Sequence, residues 1–339
     1  MTTTSSPSDT STTTTTALAT LAGHPYPHAL AELRPLVARA QGYAAASRSE
    51  ATRRAYSGDW QRFVGWCEHK GLDSLPALPG TVALYLSALV DEGLRSSTVD
   101  RALVAISQAH RAAGHASPRE SELVRAVRKG IARTIGTRPD QKAAFPVDAL
   151  RTFARGCDAS TLAGLRDRAL VLVGFAGAFR RSELVGLDVS DVAFGPDGAT
   201  VTLRHSKTDQ EGEGVDVGLP NGSDASTCPV RALRAWLDAA KVTAGPVFRA
   251  VDRHGHVSRS GLSDKSVALV VKRACEATGL DASRFAGHSL RAGLATAAIR
   301  AGKSEASTMR QTRHKSVAVF RGYVRAASLF TDNAAGGLL

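Results

Sequence analysis

Cysteine is scarce in this chain: four in 339 residues, at Cys67, Cys157, Cys228 and Cys275. No two form a Cys-x-x-Cys pair, and none is spaced from a histidine as zinc ligands are, so neither a disulfide framework nor a Cys/His metal site organises the fold. They read as buried or incidental thiols of a reducing compartment. Long apolar runs are also missing. A membrane helix needs about 20 apolar residues; the longest candidate, Ala169 to Phe179, is shorter and reads as a core helix. The N-terminus has no basic segment leading into an apolar one, so no signal peptide is expected, and the expected location is the cytoplasm. No internal repeat is visible.

Charge, by contrast, is unbalanced. Forty-three Lys and Arg stand against 31 Asp and Glu, a formal net charge of +12. Hydrophobic content of 43% is ordinary for a globular protein, so the excess sits on a surface. A field of that sign favours a polyanionic partner, and nucleic acid is the usual one.

Residues 1–16 are Ser or Thr except Met1, Pro7 and Asp9, a composition that cannot bury enough apolar surface to order itself. A short helix is expected around 28–41. From about 47 to 135 the periodicity is helical throughout. Ser49 caps a helix carrying Tyr56, Trp60, Phe63, Val64 and Cys67, and Gly71 ends it. Pro79 opens a second through Val82, Leu86 and Leu89. Ser96 or Ser97 caps a third with Val99, Leu103, Ile106 and His110 inward, and Pro118 begins a fourth. Four helices on short connections make a bundle. Arg125, Arg128, Lys129 and Arg133 fall on one face of the fourth, a stripe suited to a phosphate backbone or simply to solvent. A linker of turn-forming residues follows. Beyond it the pattern is again helical, interrupted by three short strands at Asp191–Phe194, Thr200–Arg204 and Val215–Leu219.

Five polar residues in the second half stand out: Arg180 before Ser182-Glu183-Leu184, then His288 and Arg291, then His314, then Tyr323 nine positions later. Taken singly each has an ordinary explanation. Arg180 could terminate a helix, Arg291 could sit on a surface, and Tyr323 could be half-buried core. Taken together they are what a phenol needs to attack a phosphodiester. A tyrosine with an ordinary pKa of about 10 requires a proton acceptor. The transition state places negative charge on non-bridging oxygens, and arginine offers those oxygens a planar, permanently charged fork. The leaving 5′ oxygen needs a proton, which a lysine or histidine can supply. Enough fixed positive charge makes a metal unnecessary. Lys207, between the second and third strands, is a candidate donor, and Glu183 is placed to brace Arg180.

The order and spacing of Arg180, Lys207, His288, Arg291, His314 and Tyr323 resemble the tyrosine recombinase (phage integrase) family over roughly residues 47–335. The resemblance implies a mainly α protein. An N-terminal helical, SAM-like core-binding domain and a C-terminal mixed α+β catalytic domain with a small antiparallel sheet would close as a C-shaped clamp on DNA. The expected boundaries are a Ser/Thr-rich tail and short helix at 1–46, the core-binding domain at 47–135, a linker at 136–146, the catalytic domain at 147–325, and a C-terminal tail at 326–339. It implies that Tyr323 forms a 3′-phosphotyrosine, with Arg180 and Arg291 on the non-bridging oxygens and His314 hydrogen-bonded to the phosphate. Lys207 would protonate the leaving oxygen, His288 would serve as acid or base, and Glu183 would orient the site. No ATP, metal or other cofactor is implied. The expected partners are double-stranded recombination sites, further copies of the chain as a dimer per site and a tetramer in synapsis, and an accessory directionality factor. Leu329, Phe330, Leu338 and Leu339 in the tail are expected to dock on a neighbouring protomer. Two positions depart from the family pattern. Arg313 stands where glycine is usual, an exchange expected to add a phosphate contact or alter the turn, and Arg181 stands where an apolar residue is usual. A type IB topoisomerase with the same chemistry, and a DNA-binding protein without catalysis, are the competing readings.

Overall fold

The computed structural model describes residues 47–138, 142–204 and 214–328, together with Leu33, 35–40 and 42–43. The Ser/Thr-rich segment 1–16, the stretch carrying Lys207 and the apolar tail residues from Leu329 onward lie outside these. Of the helix expected at 28–41, residues 35–40 are helical. The chain divides into two compact units between residues 140 and 141.

The first unit is a helical bundle. Helix α1 (Glu50–Lys70) starts at Ser49, whose hydroxyl accepts the Thr52 N–H. It ends at Gly71, whose left-handed φ of 66° lets the Leu72 N–H turn back to the Cys67 carbonyl. Helix α2 (Pro79–Asp91) begins on a proline, which needs no N–H there. Helix α3 (Ser96–Ala112) begins without the expected serine cap. Arg95 holds the cap position without a side-chain cap bond, and Ser96 is buried as the first helical residue. Pro118 opens a 3-10 turn, Pro118–Glu120, rather than the fourth helix; extended backbone at Ser121 separates it from α4 (Glu122–Ile135).

The core joins Phe63 and Cys67 of α1, Val82, Tyr85, Leu86 and Leu89 of α2, Val99, Leu103 and Ile106 of α3, and Val124 of α4. His110 belongs to it. Its Nε2 accepts the Ala77 N–H at 2.8 Å, so Nδ1 carries the hydrogen and donates to the Ile106 carbonyl at 2.8 Å. Burial keeps this imidazole neutral by lowering its pKa.

The second unit is built around α6 (Leu162–Ala176), whose Leu170 to Val173 are buried on every side. Around it stand α5 (Val147–Gly156), the one-turn helix α7 (Arg181–Val185), α8 (Pro229–Ala239), α9 (Asp264–Ala277), α10 (Ser289–Arg300), α11 (Glu305–Thr312) and α12 (Val317–Ser328). Strands β1 (Val192–Phe194), β2 (Gly198–Leu203) and β3 (Val215–Pro220) form an antiparallel sheet in the order β1-β2-β3. Val201 opposes Val217 and Ala199 opposes Leu219, and these four side chains are buried on one face. A second antiparallel pair, β4 (Arg249–Val251) and β5 (Val257–Gly261), was not anticipated from the sequence. Its strands are short and its register shifts between Arg249 and Val251, so no alternation develops to be read.

Two contacts fix the start of α10, which carries Arg291. Gly293 lies where a Cβ would meet the Phe145 carbonyl at 2.5 Å, so α10 packs against the segment entering α5 with nothing between. Phe145 N–H donates to the Ser289 carbonyl at 2.9 Å, which pins the start of α10. Trp236 on α8 is fully buried and donates its indole N–H to the Val247 carbonyl at 2.8 Å. Arg166 of α6 and Arg273 of α9 share the Asp167 carboxylate, each at 2.7 Å, which ties the two helices together. Among the described residues no helix is long and apolar enough to cross a membrane.

Candidate active site

Helix α6 stops at Ala176, and the next four residues fold sharply. A Cβ on Gly177 would meet the Phe179 ring at 2.2 Å, so only glycine lets that ring fold back and bury. Ala178 sits at φ 46°, a left-handed conformation that costs a non-glycine residue about 1 kcal/mol or more. This turn delivers Arg180 to the cap position of α7 instead of leaving it at the end of α6. Glu183 then faces back. Its carboxylate accepts the Arg180 backbone N–H at 2.9 Å and pairs with the Arg180 guanidinium. Sequence spacing expects a brace along a helix face; the structure makes the same carboxylate also the anchor of the Arg180 main chain.

Arg291, in the first turn of α10, is 3% exposed. One terminal nitrogen donates to the Ala178 carbonyl at 2.8 Å, while the other, Nη2, is buried and has no hydrogen-bond partner among the described residues. Burial, then the neighbouring Arg180 and Arg313, lower its pKa to about 10, against the opposing pull of Glu183 and Tyr323. It remains a cation at neutral pH. A buried guanidinium nitrogen without an acceptor, beside two further arginines, is a site awaiting an anion.

Arg313 closes the group. It occupies the left-handed position after α11 at φ 55°, and its side chain is 7% exposed. Its two terminal nitrogens donate to the carbonyls of Gly177, Ala178 and Gln311 and to the Glu183 carboxylate at 3.0 Å. Both terminal nitrogens are thus taken by protein acceptors, while its buried Nε has no hydrogen-bond partner among the described residues. The side chain turns inward, over the Phe179 ring at 5.2 Å. For Glu183, burial pulls the pKa up, but the Arg180 N–H, Arg313 and the Arg180 guanidinium outweigh it, and the net shift is downward.

His314 follows on α11's exit. Its Nδ1 lies 2.7 Å from the Thr312 hydroxyl. Burial, then Arg291, Arg180, Arg313 and His288, lower its pKa to about 4, so it is neutral at physiological pH. Its ring lies 5.4 Å from that of Tyr323 on α12, which is half-buried. His288 caps α10 in an exposed position, so it and the buried Arg291 do not share one environment despite lying three residues apart. Lys207 lies outside the described residues. Arg181 lies alongside Gly287, where a Cβ would meet its side chain at 2.0 Å, and reaches Asp264 at 3.9 Å. In the first unit, Arg125, Arg128, Lys129 and Arg133 are all exposed, but Arg128 is held by the Asp100 carboxylate in a two-point ion pair. Among the described residues no group of His, Cys, Asp and Glu is placed to hold a metal ion.

Two family models match the chain. "Phage integrase family" covers residues 144–329, and "Phage integrase, N-terminal SAM-like domain" covers residues 43–116. This chain belongs to the phage integrase family. An "Integrase/recombinase xerD homolog" of Selenomonas ruminantium is 42% identical over 291 residues, which are 85% of each chain. Among solved structures, a lambda integrase(75-356) dimer bound to a COC′ core site aligns with a TM-score of 0.56 at 19% identity, over 85% of this chain and 93% of that one. The XerH site-specific recombinase in its post-cleavage complex with a palindromic difH substrate aligns with a TM-score of 0.57 at 17% identity, over 77% and 72%. At such identities these two likenesses speak for the fold. The family models and the recombinase relatives make the protein a tyrosine-type site-specific recombinase with a SAM-like N-terminal domain, and the structural likenesses agree with its mostly helical fold.

Proposed function

We propose that the chain cuts and rejoins DNA at specific sites through a 3′-phosphotyrosine on Tyr323, without ATP or a metal ion. The observation that carries this reading is the unpartnered, buried Nη2 of Arg291, set among Arg180, His314 and Tyr323. A phosphodiester oxygen supplies the missing acceptor. Among the described residues, three guanidiniums stand against the carboxylate of Glu183 and leave the pocket positive, and charge fixed in advance stabilises the transition state without reorganising.

In this mechanism the Tyr323 oxygen attacks phosphorus in line with the 5′ oxygen. The phenolic proton passes to His288, Arg180 and Arg291 hold the non-bridging oxygens, and neutral His314 hydrogen-bonds to one of them. The phosphorus–5′-oxygen bond breaks, and Lys207 protonates the departing oxygen. One phosphoester bond forms for each broken, so the step needs no external energy, and reversal by the 5′ hydroxyl of another strand completes exchange. The core-binding domain at 47–135, with Arg125, Lys129 and Arg133 toward the phosphates, would grip the duplex and continue through a linker at 136–146 into the catalytic domain at 147–325. Two copies per site and four in synapsis, joined by the tail 326–339, would integrate, excise or resolve a mobile element in the cytoplasm. Direction would be set by site arrangement or an accessory factor.

The test is covalent trapping. Wild type and Tyr323→Phe are expressed with flanking DNA, denatured and captured, and the attached DNA is sequenced. Adducts on one short recurring sequence, absent from the variant, are expected. Adducts on scattered sequences would indicate topoisomerase-like action, and binding without any adduct would leave a silent DNA-binding protein.

A further inference from the structure

We propose that Arg313 is a positioning residue of this recombinase: it touches no phosphate, but locks Glu183 and the 177–180 turn so that Arg180 and Arg291 stay aimed at one point. The inference rests on the reading that these two arginines hold the scissile phosphate.

The geometry has three parts. First, Arg313 and Arg180 share one carboxylate. Glu183 Oε2 accepts from the Arg180 N–H at 2.9 Å and from Arg313 at 3.0 Å, while Oε1 pairs with the Arg180 guanidinium. Without Arg313, nothing but Arg180 itself donates to Glu183 among the described contacts, and Arg180 could carry the carboxylate with it. Second, Arg313 and Arg291 share one carbonyl. Ala178 O accepts from Arg313 at 3.0 Å and from Arg291 at 2.8 Å. That carbonyl belongs to a residue held at φ 46°, so its direction depends on contacts that keep the turn from relaxing. Third, Arg313 sits in the left-handed region at φ 55°, where a glycine would rest without strain. The backbone there favours glycine, yet the site carries a buried arginine with both terminal nitrogens occupied. A residue kept against its backbone preference, bonded to the supports of two other arginines and to neither arginine directly, acts through those supports. His314 follows it immediately, so the same anchor fixes the histidine's approach to Tyr323.

Glycine at 313 removes the lock and relieves the backbone. Lysine keeps a charge but cannot donate as a planar fork to a carboxylate and two carbonyls together. The experiment uses the full chain with its recombination-site DNA, measuring the single-turnover rate of Tyr323 adduct formation at saturating DNA, DNA affinity, and the circular dichroism spectrum. The variants are Arg313→Gly, Arg313→Lys, Glu183→Gln and the Arg313→Gly/Glu183→Gln pair. Misplacing catalytic groups by an ångström lowers rates by about 100-fold, so the expected result is a loss of that order in both Arg313 variants with affinity and spectrum unchanged. The double variant should be no slower than Glu183→Gln alone, since both remove one support. A wild-type rate in Arg313→Gly or Arg313→Lys, or losses that multiply in the pair, would overturn the proposal. If Arg313→Gly fails to fold, Arg313→Lys decides by the same criterion. An absence of Tyr323-dependent adduct in wild type would instead defeat the phosphotyrosine reading, which is a different outcome.

Discussion

Replacing Glu183 with glutamine tests the electrostatics of the site apart from any chemistry. Glu183 is 5% exposed, and its carboxylate receives three donations: the Arg180 N–H, the Arg180 guanidinium and the Arg313 guanidinium. Glutamine keeps the volume but turns one acceptor oxygen into a donor that faces donors. At least one charge-assisted bond is lost, worth about 1.5–3 kcal/mol. The remaining guanidiniums of Arg180, Arg291 and Arg313 then repel one another with no counter-charge between them among the described residues. Removing one partner of a buried ion pair costs about 3–5 kcal/mol, and the expected loss of stability in the second unit lies in that range. Urea unfolding is the assay, followed through Trp236 in a Trp60→Phe/Trp66→Phe background so that only the second unit reports. Sulfate or phosphate should restore part of the loss, because an anion in the pocket replaces the missing charge. A change under about 0.5 kcal/mol, the size of a neutral surface substitution, with no response to sulfate, would refute the account of three arginines balanced on one carboxylate.

Other outcomes follow from the same geometry. His314, held near a pKa of about 4 by burial and by Arg291, Arg180, Arg313 and His288, binds its proton later in the folded than in the unfolded chain as pH falls. Its contribution to stability is therefore intact above an unfolded value of about 6.5 and is lost as pH drops toward 4, by at most about 1.4 kcal/mol per pH unit; His314→Gln should flatten the urea midpoint between pH 7 and 5, and equal slopes would count against it. Alanine at Arg125, Lys129 or Arg133 should each lower the salt dependence of DNA binding by about one unit of the log–log slope. Arg128→Ala should lower it less, since Asp100 already neutralises Arg128; an equal effect at all four positions would show that the ion pair opens on DNA. The thiols of Cys67, Cys157 and Cys275, pushed up to about 11 chiefly by burial, should resist iodoacetamide at neutral pH until urea unfolds the chain, and rapid labelling of the native protein would contradict their placement.

How far the sequence could be read differs from one residue to the next. Helices carried by apolar periodicity, such as α1 with Phe63 and Cys67 and α2 with Val82, Leu86 and Leu89, were legible because period and core face coincide. Their starts were less so. Arg95 stands at the cap where serine was expected, and Ser96 is buried one position later, a placement no local spacing announces. Strands β4 and β5 escaped notice because strands of three and five residues with a register shift leave no alternation.

The sequence by itself determined the set of groups: two arginines, two histidines and a tyrosine in family order, with an acid three residues beyond the first arginine. These could be seen because chemistry fixes residue type and because neighbours on one helix turn are three or four positions apart. Only the tertiary structure decided that Arg291 is buried with a free nitrogen while His288 is exposed, since solvent access depends on what packs over the start of α10. It alone decided the direction of Arg313. A sequence shows that an arginine has replaced a glycine, but not whether the guanidinium faces the ligand or the protein. That choice was settled by acceptors 130 and more residues away, at Gly177, Ala178 and Glu183, which share no local spacing with it.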